Sequence, residues 1–150
     1  MKKSRSGKRP VGIGTDDLFR LRLATSVAIS PDETQMAYTV ERMDKTDNTY
    51  YTNVFMCDLR SGESRPFTSG KQADRPPVWS HDGSRLAFVS TRDKKTGIYV
   101  MPVDGGAESL LLEIEGSISS LQWTPDDQEL VFALQYADSH FITDEKKKKE

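Results

Sequence analysis

Three aspartates, Asp32, Asp82 and Asp126, fall 50 and then 44 residues apart, and each sits inside the same short pattern. The first copy is Val27-Ala28-Ile29-Ser30-Pro31-Asp32-Glu33, followed by Met36 to Val40. The second is Val78-Trp79-Ser80-His81-Asp82-Gly83, followed by Leu86 to Ser90. The third is Leu121-Gln122-Trp123-Thr124-Pro125-Asp126-Asp127, followed by Leu130 to Leu134. In each copy a turn signal separates two short β-branched and aromatic runs. Proline presets φ at the second turn position, an aspartate side chain can bond the backbone two residues on, and glycine supplies a positive φ. The flanking runs suit strands. A hairpin recurring every ~40 to 50 residues is the mark of four-stranded propeller blades.

The remaining strands of each blade follow from the same reading. Asn53 to Leu59 and Ile98 to Val103 are third strands. Turns at Arg60-Ser61-Gly62-Glu63 and Asp104-Gly105-Gly106 lead to fourth strands near Arg65 to Thr68 and Glu108 to Leu112. The mostly apolar run Leu86 to Val89 predicts burial on both faces, as between stacked blades. The expected fold is all-β: an incomplete propeller of two and a half four-stranded antiparallel blades over 15–143. Blade one covers about 24–68, blade two 76–112 and a partial blade three 118–136. Residues 1–14 read as a disordered basic N-terminus and 144–150 as a charged tail.

Three local expectations are specific. Glu33 stands where glycine would be easiest, so a different turn register is expected at Glu33-Thr34. His81 replaces proline, which the turn accepts. Thr15 to Leu21 reads either as a helical turn capped by Thr15, with Asp16 and Asp17 at its positive end, or as a strand in which Phe19, Leu21 and Leu23 alternate with Arg20 and Arg22. Met43 to Tyr51 is polar and reads as a hairpin loop.

Candidate chemistry is sparse. Ser80, His81 and Asp82 stand side by side, but a triad converges in space from groups distant in sequence. No Gly-x-Ser-x-Gly elbow occurs. His81, His140 and Cys57 lack metal-binding spacing; Cys57 reads as a packed thiol and His140 as a surface or strand residue. Gly12-x-Gly14 and Gly105-Gly106 are not phosphate loops. Asp32, Asp82 and Asp126 read as turn formers, and Trp79 and Trp123, at equivalent positions, as blade-to-blade packing. No catalytic, cofactor-binding or metal-ligating residue is assigned.

Hydrophobic residues make up 35% of the 150 and charged residues 29%, which fits a globular protein, and the net charge is −2. Lys2, Lys3, Arg5, Lys8 and Arg9 form one basic block and Lys146 to Lys149 another, without interleaved aromatics. They read as solvated ends, so neither nucleic acid nor membrane is an expected partner. No apolar stretch follows the basic start, and the lone cysteine builds no disulfide; the expected location is the cytoplasm.

The run Pro77 to Asp93, with Ile98 to Glu108 and the opening Asp17 to Leu21 leading into Ile29-Ser30-Pro31-Asp32, resembles the propeller of prolyl-oligopeptidase-family serine peptidases, in particular the acylaminoacyl-peptidase branch. The resemblance covers about Asp16 to Gln135. It implies an N-terminal propeller that covers a C-terminal α/β-hydrolase domain and admits short peptides to it. No triad position of that family falls within this chain. The expected partners are therefore that hydrolase domain and the remaining blades, with the chain an N-terminal piece of such an enzyme. The alternatives are a non-enzymatic TolB-like propeller-repeat binding module and a small chain that closes a ring from several copies.

Overall fold

The computed structural model describes Gly12 and residues 14–135. The basic blocks at 1–9 and 146–149, His140 and the stretch 136–143 lie outside the described residues. After a 3-10 helix (Thr15–Arg20), blade one is built from β1 (Leu23–Ile29), β2 (Gln35–Asp44), β3 (Thr49–Asp58) and β4 (Ser64–Pro66), each antiparallel to the one before. The two-residue strand β5 (Ala73–Asp74) follows. Blade two is β6 (Val78–Trp79), β7 (Arg85–Arg92), β8 (Lys95–Pro102) and β9 (Ser109–Ile114), again antiparallel throughout. β10 (Ser117–Trp123) and β11 (Leu130–Gln135) form the first hairpin of a third blade. The architecture is the partial propeller that the repeat predicted.

β5 stitches the blades together. It lies parallel to β3 at Thr52 and Ala73, and antiparallel to β7 at Asp74 and Ser90. Through it the strands of blades one and two run on as one sheet. Pro76 and Pro77 follow, and with no N–H to give a ladder they leave only Val78 and Trp79 to pair as the inner strand of blade two.

The core lies between blades. Ala37, Val54, Met56 and Phe67 of blade one pack against Leu86 and Val103 of blade two, with Trp79 and Met101 alongside. A second cluster joins Ala87, Val89 and Ile98 of blade two to Ile118, Leu121 and Trp123 of blade three. The alternation along β7 explains why Leu86 to Ser90 are all buried: successive side chains point to opposite blades. Each fully buried Leu or Ile in such a position is worth about 1.5–3 kcal/mol.

Three expectations are corrected. The helical alternative holds at Thr15–Arg20, but the residue before it is Gly14, whose N–H donates to Asp17 Oδ2 at 2.8 Å; Thr15 is the first helical residue rather than the cap. Met43 to Tyr51 is not one loop, because β2 and β3 stay paired out to Asp44 and Thr49, leaving a turn only at 45–48. Asp44 Oδ1 closes that turn by accepting the N–H groups of Thr46 and Asp47 at 2.9 and 3.0 Å. Cys57 is half-buried rather than packed, because it pairs with Met36 on the face of blade one that turns away from blade two.

Candidate functional site at the blade turns

The turns that carry the repeat are built alike. In blade two the Ser80 N–H donates to the Arg85 carbonyl and the Gly83 N–H to the Ser80 carbonyl, at 2.9 and 3.0 Å. The Ser80 hydroxyl donates to Asp82 Oδ1 at 2.6 Å and accepts the Arg85 N–H at 2.9 Å. Ser30 with Asp32, and Thr124 with Asp126, repeat these bonds within 0.1 Å. The fourth turn residue has φ of 58° at Glu33, 72° at Gly83 and 55° at Asp127. The expected change of register at Glu33-Thr34 is therefore overturned. The shared hydroxyl–aspartate bonding holds Glu33 in left-handed geometry despite its side chain.

This bonding fixes the aspartates as turn formers and also charges them. The Ser80 hydroxyl, then the N–H and hydroxyl of Ser84, hold the Asp82 carboxyl down at about 2. The hydroxyls of Ser30 and Thr124 lead the same downward shift at Asp32 and Asp126. Ser80 is fully buried, with its hydrogen committed to Asp82. His81 turns to another blade instead: its Nδ1 lies 2.8 Å from Asp127 Oδ1. Ser80, His81 and Asp82 thus form a turn and no nucleophile–base pair.

The blades are locked by side chains that reach backward along the chain. The Trp79 indole N–H donates to the Ala28 carbonyl at 2.9 Å, and Trp123 to the equivalent Val78 carbonyl at 3.3 Å. Asp127 accepts the N–H groups of His81 and Asp82 at 2.7 and 2.9 Å, while the Arg85 guanidinium donates to the Asp127 carbonyl and stacks 4.5 Å from the centre of the Trp123 ring. Burial works against the charge of Asp127, yet the His81 N–H and ring and the Asp82 N–H together hold its carboxyl below the usual range.

Two groups carry no repeat signal and escaped the sequence reading. Asp74, 3% exposed, accepts from Thr68 Oγ1, from Gln72 Nε2 at 2.8 Å and from Ser90 Oγ at 2.6 Å; Thr68 in turn takes the Val54 N–H. The neighbouring Arg75 donates to the Ile118 carbonyl at 2.8 Å, so two adjacent residues tie all three blades. Arg92 pairs through both terminal nitrogens with Glu108, donates through Nε to Ser90 and lies 3.9 Å over the Tyr99 ring. Among the described residues no three His, Cys, Asp or Glu side chains gather as metal ligands, and no helix is long and apolar enough to cross a membrane.

Antiparallel blades, turns closed by hydroxyl–aspartate pairs and indoles locking each blade to the last define a propeller of repeated blades. The chain belongs to the family of the TolB beta propeller domain, whose model matches residues 22–150. It is similar to the uncharacterized peptidase YuxL of Bacillus subtilis, 29% identical over 136 residues, which are 90% of this chain and 21% of that protein. Among solved structures it is similar to the acylaminoacyl peptidase of Pyrococcus horikoshii, with a TM-score of 0.64 and 19% identity over 75% of this chain and 17% of that one. It is also similar to TolB of Acinetobacter baumannii, with a TM-score of 0.62 and 22% identity over 79% and 27%. The chain spans about a fifth of the length of its peptidase relative. The resemblance carried by Pro77 to Asp93 agrees with these matches, which place peptidases among its relatives.

Proposed function

We propose that this chain supplies blades to the propeller of a cytoplasmic serine peptidase of the acylaminoacyl or oligopeptidase type. There the blades would cover an α/β-hydrolase domain and admit only short peptides. The similarity to YuxL along 90% of the chain carries this reading. The physical argument is division of labour. The hydroxyls and aspartates of the three turns are spent on turn closure or blade locking, and the nearest thing to a nucleophile, Ser80, is buried. A scaffold of this kind contributes rigidity and access control, and the chemistry falls to a separate domain.

The test is to extend the coding sequence past Glu150 and express the longer product. A serine in a Gly-x-Ser-x-Gly elbow is expected there, labelled by a fluorophosphonate probe. The product is expected to cleave N-acylated short peptides while sparing folded proteins, and the chain of 150 residues is expected to stay unlabelled. An extension with further blades and no such serine would overturn the reading. That result would favour the second one, a TolB-like binding module, to which the similarity to TolB gives weight.

A further inference from the structure

Two blade junctions lie within the described residues, and they use the fourth turn position in two ways. At the first junction that residue is Gly83, and a Cβ built on it would lie 3.6 Å from Pro31 Cδ in the preceding turn. The fourth position therefore aims its side chain at the second position of the turn before. At the second junction that direction is filled: Asp127 sends its carboxylate to the N–H groups of His81 and Asp82. The two junctions match in composition. Proline, with no N–H, faces glycine, with no side chain; histidine, with an N–H, faces aspartate.

Glu33 is a third case. It holds the fourth position of blade one with the same left-handed backbone, so its side chain leaves toward the side away from blade two. On that side Val27 and Ile29 stand 61% and 57% exposed, beside half-buried Met36, Tyr38, Phe55 and Cys57. Ile29 occupies the place that Trp79 and Trp123 hold in the other blades. Among the described residues the Glu33 carboxylate has no hydrogen-bond partner, although glycine would carry less backbone strain.

We propose that this face docks a further blade of the longer propeller, and that Glu33 clips it by accepting N–H groups from a turn whose second residue is not proline. This rests on the reading of the chain as part of a larger propeller. A second copy docked head to tail is the wrong occupant. The second turn residue of its third blade is Pro125, which offers no N–H. By the same rule, Pro125 is matched by glycine at the fourth turn position of the blade that follows.

The chain itself provides the test, because its single thiol, Cys57, lies on the face in question. Pro125→His gives one copy's third blade the N–H that Glu33 of another copy lacks. The P125H chain is expected to associate about tenfold more tightly than the parent in light scattering, the return for a hydrogen bond to a charged group. Cys57 alkylation is expected to slow in step, and adding Glu33→Ala is expected to remove the gain. Pro125→Ala also restores the N–H and serves if the histidine variant fails to fold. No gain in either variant, or a gain that survives E33A, overturns the clip. Parent chains whose association weakens with E33A overturn the choice of occupant in favour of a second copy. Slow Cys57 alkylation in the dilute parent monomer also overturns it, since the chain then covers its own face. None of these results bears on the serine labelling that decides the peptidase reading.

Discussion

Trp79 and Trp123 combine two jobs that other core residues divide: each fills a junction and carries a donor across it. Trp79→Phe keeps most of the packing and leaves the Ala28 carbonyl without its partner. The expected cost is about 1 kcal/mol, read as a lower urea midpoint at unchanged slope. Trp79→Ala also opens a cavity and costs about 3 kcal/mol or more. The aspartates act through charge. Asp32, Asp82, Asp126 and Asp127 all ionise more readily in the folded chain than at the ordinary value of 3.8. Their stabilisation is therefore complete above about pH 5 and is lost as the pH falls through the folded values, about 2 for Asp82. Asp82→Asn is expected to melt several degrees lower at pH 7, with the gap closing toward pH 2. Thermal melts followed by tryptophan fluorescence across that range check both the sign and the window.

At the scale of the strand, Gly97 shows how closely β8 and β9 approach. A Cβ there would lie 2.8 Å from Leu110 Cδ1 and 3.0 Å from the Leu112 carbonyl. Gly97→Ala is expected to push β9 outward and cost about 1–3 kcal/mol, with amide shifts in a two-dimensional NMR spectrum concentrated at Ser109 to Ile114. Such close approaches leave no periodic trace, so this one was not legible in the sequence. What was legible is what repeats. The hairpins around Asp32, Asp82 and Asp126, the third strands and the equivalence of the two tryptophans all rest on local turn chemistry and strand alternation. The register at Glu33 was misread because residue preference alone disfavours left-handed glutamate, and the Ser30–Asp32 pair outweighs it. Asp74, Arg92 and Glu108 were missed because their partners are set by how blades stack, and a single pass along the chain contains no measure of that. His81–Asp127 was missed for the same reason.

For the whole molecule, burial is uneven and stability should follow it. β7 and β8 have packed blades on both sides, whereas β1 and β9 carry exposed apolar residues such as Val27 and Leu111. Amides from Leu86 to Ser90 are expected to exchange slowest with deuterium, and those of β4 and β9 orders of magnitude faster. Slowest exchange in β1 or β9 would contradict a core lodged between blades. The backward reach of the tryptophans has a consequence for synthesis. The Ala28 carbonyl waits for an indole 51 residues downstream, and the Val78 carbonyl for one 45 residues downstream. On the ribosome, then, no blade finishes when its own strands have emerged; each is sealed by the first strand of its successor. Assembly becomes vectorial, with one blade always provisional at the exit of the tunnel.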